Sequence, residues 1–230
     1  MGCIADVSAD NPRMTDANFQ VPILFDYAAT FTWAISGAIV ATQRRFDVVG
    51  VFVIALLSAI GGGLLRDAVF LDRTPAFLTN PAYLSLIVAA TVGTAFFGRM
   101  LHRLIGTETV KKMVDVIDAL GTPAFAVFGM QLAQDRGLPL PAIVFIGVAN
   151  GVAGGVLRDI VVREVPAIMR PGQYSALTLL AACALFLLVT RQVEATPTHG
   201  AWIAVAFYFV VRLLTIRFNW QTKSVWEGPF

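Results

Sequence analysis

The segment "AIGGGLLRDAV" (residues 59–69) places three consecutive glycines, an arginine and an aspartate in an otherwise apolar stretch of sequence. Each glycine lowers helix propensity by roughly 1 kcal/mol relative to alanine. A full charge inside a membrane is costly unless it is paired or hydrated, so such a residue is a candidate for function. The segment recurs as "GVAGGVLRDIV" (residues 151–161), 92 residues further along the chain. The two copies therefore mark both a candidate site and an internal repeat.

The composition around these segments is that of an integral membrane protein. Of the 230 residues, 57% are hydrophobic and 14% are charged, and the mean hydropathy is +0.73. Seven apolar runs are long enough to cross a bilayer core of roughly 30 Å, with some extension into flanking sequence. We therefore predict an all-α membrane protein with seven transmembrane helices. The runs are Val21–Thr42, Val48–Leu65, Ala82–Phe97, Val114–Ala133, Leu140–Leu157, Tyr174–Thr190 and Ala201–Ile216. The second is expected to continue through Arg66 and Asp67 to about Leu71.

The internal repeat divides the chain into two halves of three helices each. We assign residues 21–103 and 113–191 to the repeats, residues 200–218 to a seventh helix, and residues 1–20 and 219–230 to polar tails. An odd number of crossings forces the second half to enter the membrane from the opposite face, as in the inverted repeats of many transporters. The main equivalences are Asp26 with Asp118, Thr30 with Thr122, Gly62 with Gly154, Arg66 with Arg158 and Asp67 with Asp159.

The basic residues predict the orientation. Eleven of them fall on one side of the predicted helices, five on the other, and Arg212 lies within the last helix. The positive-inside rule then places the amino terminus outside and the carboxyl terminus in the cytoplasm. Because loop asymmetry accounts for the net charge of +2, no nucleic-acid partner is expected, whereas membrane lipid is.

The charged residues are expected to pair across helices. Asp26 in the first helix and Arg66 in the second should lie at a similar depth near the outer face. By the repeat, Asp118 and Arg158 should meet near the inner face. Two interpretations of these pairs are compatible. They are functional charges of the kind found on permeation pathways, or they tie two helices together.

The glycines are of two kinds. Gly147 and Gly151, with Ala55 and Ala59 in the first repeat, form stripes of small residues that favour close helix packing. The adjacent glycines point in several directions, so we expect them to kink or break helices 2 and 5 and to expose carbonyl groups that can solvate a cation. These are Gly61, Gly62 and Gly63 in the first repeat and Gly154 and Gly155 in the second.

The chain resembles the trimeric intracellular cation (TRIC) channels in their prokaryotic branch, also known as UPF0126 membrane proteins or as a "glycine transporter" domain family. The resemblance covers residues Asp26 to Tyr174 and rests on "DYAATFTWAISGAIVA", "FDVVGVFVIALLSAIGGGLLRDAVF", "RTPAFLTNPAY", "DALGTPAFAVFGMQLA" and "GVANGVAGGVLRDIVVREVPA". It implies a homotrimer with a potassium-conducting pore in each protomer, framed by kinked helices 2 and 5 with helices 1 and 4. The pore-associated charges would be Arg66, Asp67, Arg158 and Asp159. Ala153 departs from the glycine pattern of the family, because the equivalent residue of the first repeat is Gly61.

Two functional classes remain open. A monovalent cation channel, for potassium first and sodium second, fits the repeat and the charges. A secondary transporter for a small solute such as glycine fits the same architecture, and a purely structural or lipid-interacting membrane protein is a weaker third. The sequence contains no HExxH, GxSxG or phosphate-binding glycine-lysine motif, so an enzyme is not expected. With only His102 and His199 as histidines, neither a metal site nor a cofactor is expected.

Overall fold

The computed structural model describes residues 23–169, 174–193 and 195–218, without the side chains of 98–108, 110 and 111. The assigned tails, 1–20 and 219–230, lie outside the described residues. Within the described ranges the chain is helical and contains no strand. The elements are α1 (Leu24–Gln43), α2 (Val48–Leu64), a π-helical turn (Leu65–Phe70), α3 (Ala76–Thr79), α4 (Pro81–Asp135), α5 (Leu140–Val161), a 3₁₀ turn (Ala167–Met169), α6 (Ser175–Arg191) and α7 (Pro197–Arg217).

Five helical segments are long and apolar enough to cross a membrane. These are Leu24–Gln43, Val48–Phe70, Lys112–Asp135, Leu140–Val161 and Pro197–Arg217. Two shorter apolar segments, Pro81–Phe97 and Ser175–Arg191, complete the set found in the described residues. The second helix extends past its charged pair to Phe70, close to the expected end.

One helical element, α4, runs through both the predicted third and fourth helices, so the count of seven separate helices stays a prediction. The axis of α4 nevertheless cannot be straight. The hydroxyl of Tyr83 donates to Asp26, and the ring of Phe128 lies 5.0 Å from the guanidinium of Arg66, which is itself 3.5 Å from Asp26. Forty-five residues of straight helix would separate Tyr83 from Phe128 by about 68 Å. Since both contact one cluster, the two apolar segments of α4 run back on each other.

The glycines do not break α2 or α5, so the expected breaks are wrong, while a kink at these glycines stays a prediction. Helix α5 is α-helical without interruption from Leu140 to Val161, across both Gly154 and Gly155. Helix α2 is α-helical across its three glycines to Leu64. The irregular backbone comes after them, in the π-helical turn Leu65–Phe70. Such turns are rare and occur frequently at functional sites, and this one carries the charged pair.

The glycines lie instead where α2 crosses α5. A Cβ on Gly62 would overlap the backbone carbonyl of Asn150, and a Cβ on Gly154 would overlap that of Ser58. Ser58 and Asn150 are themselves equivalent in the repeat, 92 residues apart. In each repeat, a backbone carbonyl therefore contacts the equivalent glycine of the other repeat. As residue numbers rise along α2 they fall along α5, so the two helices cross antiparallel with backbones in contact.

Alanine is the most frequent residue of the buried apolar core. Ala34, Ala38 and Ala41 of α1 are fully buried, which lets α2 and α4 approach α1 closely. Large apolar side chains such as Val48 and Trp202 are exposed on the outer surface. A bilayer would cover these side chains.

Candidate functional site

The first charged cluster is centred on Arg66 in the π-helical turn. Its Nε donates to Oδ1 of Asp67 over 2.7 Å and its Nη2 donates to Oδ2 over 2.9 Å. Its Nη1 reaches Oδ1 of Asp26 in α1 at 3.5 Å. All three residues are almost fully buried. Burial of a charge is tolerated when it is paired and hydrogen-bonded, and this arginine is paired with two carboxylates.

Other groups complete the first cluster and fix its carboxylates. Tyr83 of α4 donates its hydroxyl to the second oxygen of Asp26. Oδ2 of Asp67 accepts from the backbone N–H of Ala76 at 3.1 Å, which holds the loop after the π-helical turn. The exposed edge is closed by Arg73, whose Nε lies 3.6 Å from Oδ1 of Asp67. The cluster is therefore a network of charges between α1, α2 and α4.

The second charged cluster repeats this arrangement at the end of α5. Nε of Arg158 donates to Oδ1 of Asp159 over 2.9 Å, and its Nη1 donates to Oδ2 of Asp118 in α4 over 3.1 Å. Oδ2 of Asp159 accepts from the backbone N–H of Ala167 at 2.9 Å. The predicted partners of both arginines are thus in contact with them. The second cluster is more open, because the Asp118 side chain is 19% exposed and that of Asp26 only 3%.

Each arginine also contacts the other repeat. Arg158 donates to the hydroxyl of Ser36 over 2.5 Å, and Arg66 lies over the ring of Phe128. Ser36 and Phe128 are equivalent positions, 92 residues apart. Each cluster therefore includes one contact across the interface between the repeats, to a hydroxyl for Arg158 and to an aromatic ring for Arg66.

A cavity adjoins each cluster. The larger, about 70 Å³, is lined by Asp118, Thr122, Gly155 and Arg158 among others. The smaller, about 20 Å³, is lined by the equivalent Asp26, Thr30, Gly63 and Arg66. The α2–α5 crossing lies between them. Both cavities therefore combine carboxylate, hydroxyl and guanidinium groups. Of these, the sequence predicted only the charged groups as parts of a site.

The small residues predicted to mediate helix packing do lie at contacts between helices. Gly147 and Gly151 face α4, where added Cβ atoms would meet Met130 and the carbonyl of Thr122. Ala55 and Ala59 are buried in α2. No group of three or more histidine, cysteine, aspartate or glutamate side chains suited to a metal occurs among the described residues.

Sequence reasoning missed three parts of the site. It did not foresee that Asp67 and Asp159 accept hydrogen bonds from the arginine beside them, because neighbouring residues of a regular helix do not face each other. It missed Tyr83, although the repeat aligns this residue with Tyr174. It also noted Arg212 only as a charge within the last helix, whereas this residue lines the larger cavity.

Comparison with protein families matches the glycine transporter model to residues 23–99 and 115–191. The chain belongs to this family. The two matched stretches are offset by 92 residues, like the repeat. Relatives include a UPF0126 membrane protein of Deinococcus radiodurans, 30% identical over 87% of each chain. The UPF0126 inner membrane protein YadS of Escherichia coli is 33% identical over 67% of this chain and 72% of its own.

Solved structures of similar fold are prokaryotic TRIC channels. One, crystallised in 0.5 M KCl, has a TM-score of 0.76 and 26% identity over 85% of this chain and 95% of its own. The trimeric intracellular cation channel orthologue from Rhodobacter sphaeroides has the same TM-score and identity, over 90% of this chain and all of its own. These matches confirm the resemblance seen in the sequence.

Proposed function

We propose that this protein is a monovalent cation channel that conducts potassium through a separate pore in each protomer of a homotrimer. The observation that carries the proposal is the pair of charged cavities on either side of the α2–α5 crossing. Two such cavities provide an entry and an exit for an ion, with the crossing as the barrier between them. The similar solved structures are described as cation channels, which supports the assignment.

The chemistry of the cavities suits a weakly hydrated cation. Asp26 and Asp118 supply carboxylate oxygens, and Thr30 and Thr122 supply hydroxyl oxygens. Potassium exchanges its water for such oxygens at lower cost than smaller cations of the same charge, and binding at several weak sites allows it to leave again. Since an arginine stands beside each carboxylate, cation density in the cavities is limited and selectivity is expected to be moderate.

The α2–α5 crossing is closed in the described conformation. Gly62 and Gly154 leave no space between the two backbones. The carbonyl Oδ1 of Asn150, buried at the crossing, has no hydrogen-bond partner within the described part of the chain. In our proposal, a small separation of α2 and α5 opens the barrier, and this oxygen becomes a ligand for the passing ion.

The proposal includes the topology and orientation of the protein in the membrane. The seven apolar segments cross the bilayer seven times, with residues 21–103 and 113–191 as inverted repeats. The amino terminus lies outside and the carboxyl terminus lies in the cytoplasm, in a bacterial inner membrane. The antiparallel α2–α5 crossing supports this arrangement, because two helices related in this way enter the membrane from opposite faces.

Planar-bilayer recording of the purified protein tests the channel. In a potassium chloride gradient we expect discrete unitary currents that reverse near the potassium equilibrium potential. Asp118→Asn should lower the unitary conductance by removing a charge from the larger cavity. Asp72→Asn is the matched control, since Asp72 is exposed and has a left-handed φ of 45° that asparagine accepts. Absence of unitary currents, or equal conductance in both variants, contradicts the proposal.

A carrier for a small solute such as glycine is the second candidate. Two cavities from equivalent parts of a repeat, separated by a closed barrier, also suit alternating access. A carrier would show saturable uptake of labelled solute into vesicles, driven by an ion gradient, without unitary currents. The two recordings on one preparation therefore separate the candidates.

A further inference from the structure

The larger cavity contains a buried cation that the two charged clusters do not use. Arg212 lies in α7, is 8% exposed and lines this cavity. Its Nε and Nη1 atoms have no hydrogen-bond partner within the described residues. An unpaired guanidinium in a buried position is costly, and all its free positions are donors. A group that pairs with this guanidinium must therefore offer hydrogen-bond acceptors.

The amino end of helix α6 borders the same cavity. Ser175, the first residue of α6, is among the lining residues. Among the described residues, no side chain caps the first N–H groups of α6, since the N-cap residue Tyr174 makes no side-chain hydrogen bond to them. A helix N-terminus combines such N–H groups with a partial positive charge and is favourable for an anion. Arginine and helix end thus present donors to one space.

The carboxylates of the cavity are already engaged. Asp118 and Asp159 both pair with Arg158, and Asp115 has an interaction of its own. The smaller cavity has no counterpart of Arg212 among its lining residues, because α7 follows the repeats and has no equivalent in them. The free donors therefore belong to one side of the molecule only.

We propose that the larger cavity binds a small inorganic anion, of chloride or phosphate size, between Arg212 and the amino end of α6. Chloride and phosphate are small enough for a cavity of about 70 Å³, and the much larger gluconate serves as the reference anion. The bound anion accepts from the guanidinium and the helix N–H groups, and its charge offsets that of Arg212. This site does not depend on ion permeation.

Thermal unfolding of the purified full-length protein tests the site in solution. At equal ionic strength we expect potassium chloride or potassium phosphate to raise the unfolding midpoint above that in potassium gluconate, by about 2–4 °C if binding contributes about 1 kcal/mol. Arg212→Gln should abolish the difference. Arg217→Gln, which removes an exposed charge from the same end of the same helix, should retain it.

A crystal soaked in potassium bromide locates the anion independently of these variants. An anomalous peak beside Arg212 and Ser175, together with the shift in the wild-type protein, supports the proposal even if Arg212→Gln fails to fold. Three outcomes overturn it. They are an equal shift in Arg212→Gln, no shift in the wild-type protein, and bromide bound as an adventitious ion only, away from this cavity or without any effect in solution.

Discussion

At the residue scale, Arg66 is held mainly by the aspartate that follows it, whereas Arg158 pairs with both the following Asp159 and the distant Asp118. Arg66 makes two hydrogen bonds to Asp67, at 2.7 and 2.9 Å, and a longer contact of 3.5 Å to Asp26. Charged hydrogen bonds of this two-pronged kind are the strong ones. The repeat made the long-range pairing predictable from sequence, because it placed both partners at matching positions. The adjacent pairing was not predictable, since it depends on how the side chain folds back along its own backbone.

Removing the arginine should lower the free energy of unfolding more in the first cluster than in the second. Arg66→Gln leaves Asp26 buried without a cation and Asp67 with only the longer, 3.6 Å contact to Arg73, which costs about 3–5 kcal/mol. Arg158→Gln should cost less, because the Asp118 side chain is 19% exposed and the adjoining cavity is larger, so water can solvate the carboxylates. Thermal unfolding of both variants in one detergent measures the difference. Equal losses, or a larger loss for Arg158→Gln, would show that exposure does not control the cost.

At the scale of helices, the sequence correctly predicted a structural role for the adjacent glycines. The role it assigned to them, breaking the helices, was wrong. Low helix propensity predicted a disrupted helix, but tertiary packing kept α2 and α5 continuous. Gly62 and Gly154 have no Cβ because each faces a carbonyl of the other helix. Sequence reasoning assigned helix packing to the stripe at Gly147 and Gly151. It could not show a second contact face, because which side of α2 meets α5 depends on the fold.

Alanine at these glycines should force the two helices apart. Gly62→Ala and Gly154→Ala place a methyl group against a backbone carbonyl, which cannot rotate away, and we expect a loss of about 1–3 kcal/mol for each. Gly93→Ala in α4 is the control, since nothing lies within 4 Å of its Cβ position. This change should be neutral or stabilise the helix by up to about 1 kcal/mol. Similar unfolding midpoints for the three variants would argue against the close crossing.

At the scale of the whole molecule, the sequence predicted the repeat, the apolar segments and the paired charges. All three follow from patterns in the sequence itself, namely the hydropathy along the chain and the recurrence of the same residues 92 positions later. The continuous and bent helix α4 was missed, because the polar residues between its apolar segments resemble a loop in composition. The role of Arg212 was missed because α7 lies outside the repeat, so no equivalent residue drew attention to it.

The contacts of the turns indicate which ends of the molecule share a face. Arg44, after α1, pairs with Glu164, after α5. Arg136, after α4, donates to the carbonyl of Leu71, after the π-helical turn, over 2.8 Å. Arg44 and Arg136 are equivalent in the repeat. Each repeat thus ties its first turn to the end of the other repeat's second helix. In a membrane, these two ties would lie on opposite faces.

Cysteine labelling tests this inverted arrangement directly. In intact cells, with Cys3 replaced by serine and the buried Cys183 retained, a membrane-impermeant maleimide should label Arg73→Cys from outside. It should label Arg163→Cys only after the membrane is permeabilised. Asp47→Cys, in the α1–α2 turn beside Arg44, should behave like Arg163→Cys, because the pairing of Arg44 with Glu164 places both turns on one face. Labelling of positions 73 and 163 from the same side would contradict the inverted repeats, whereas labelling of position 47 together with 73 would contradict the shared face.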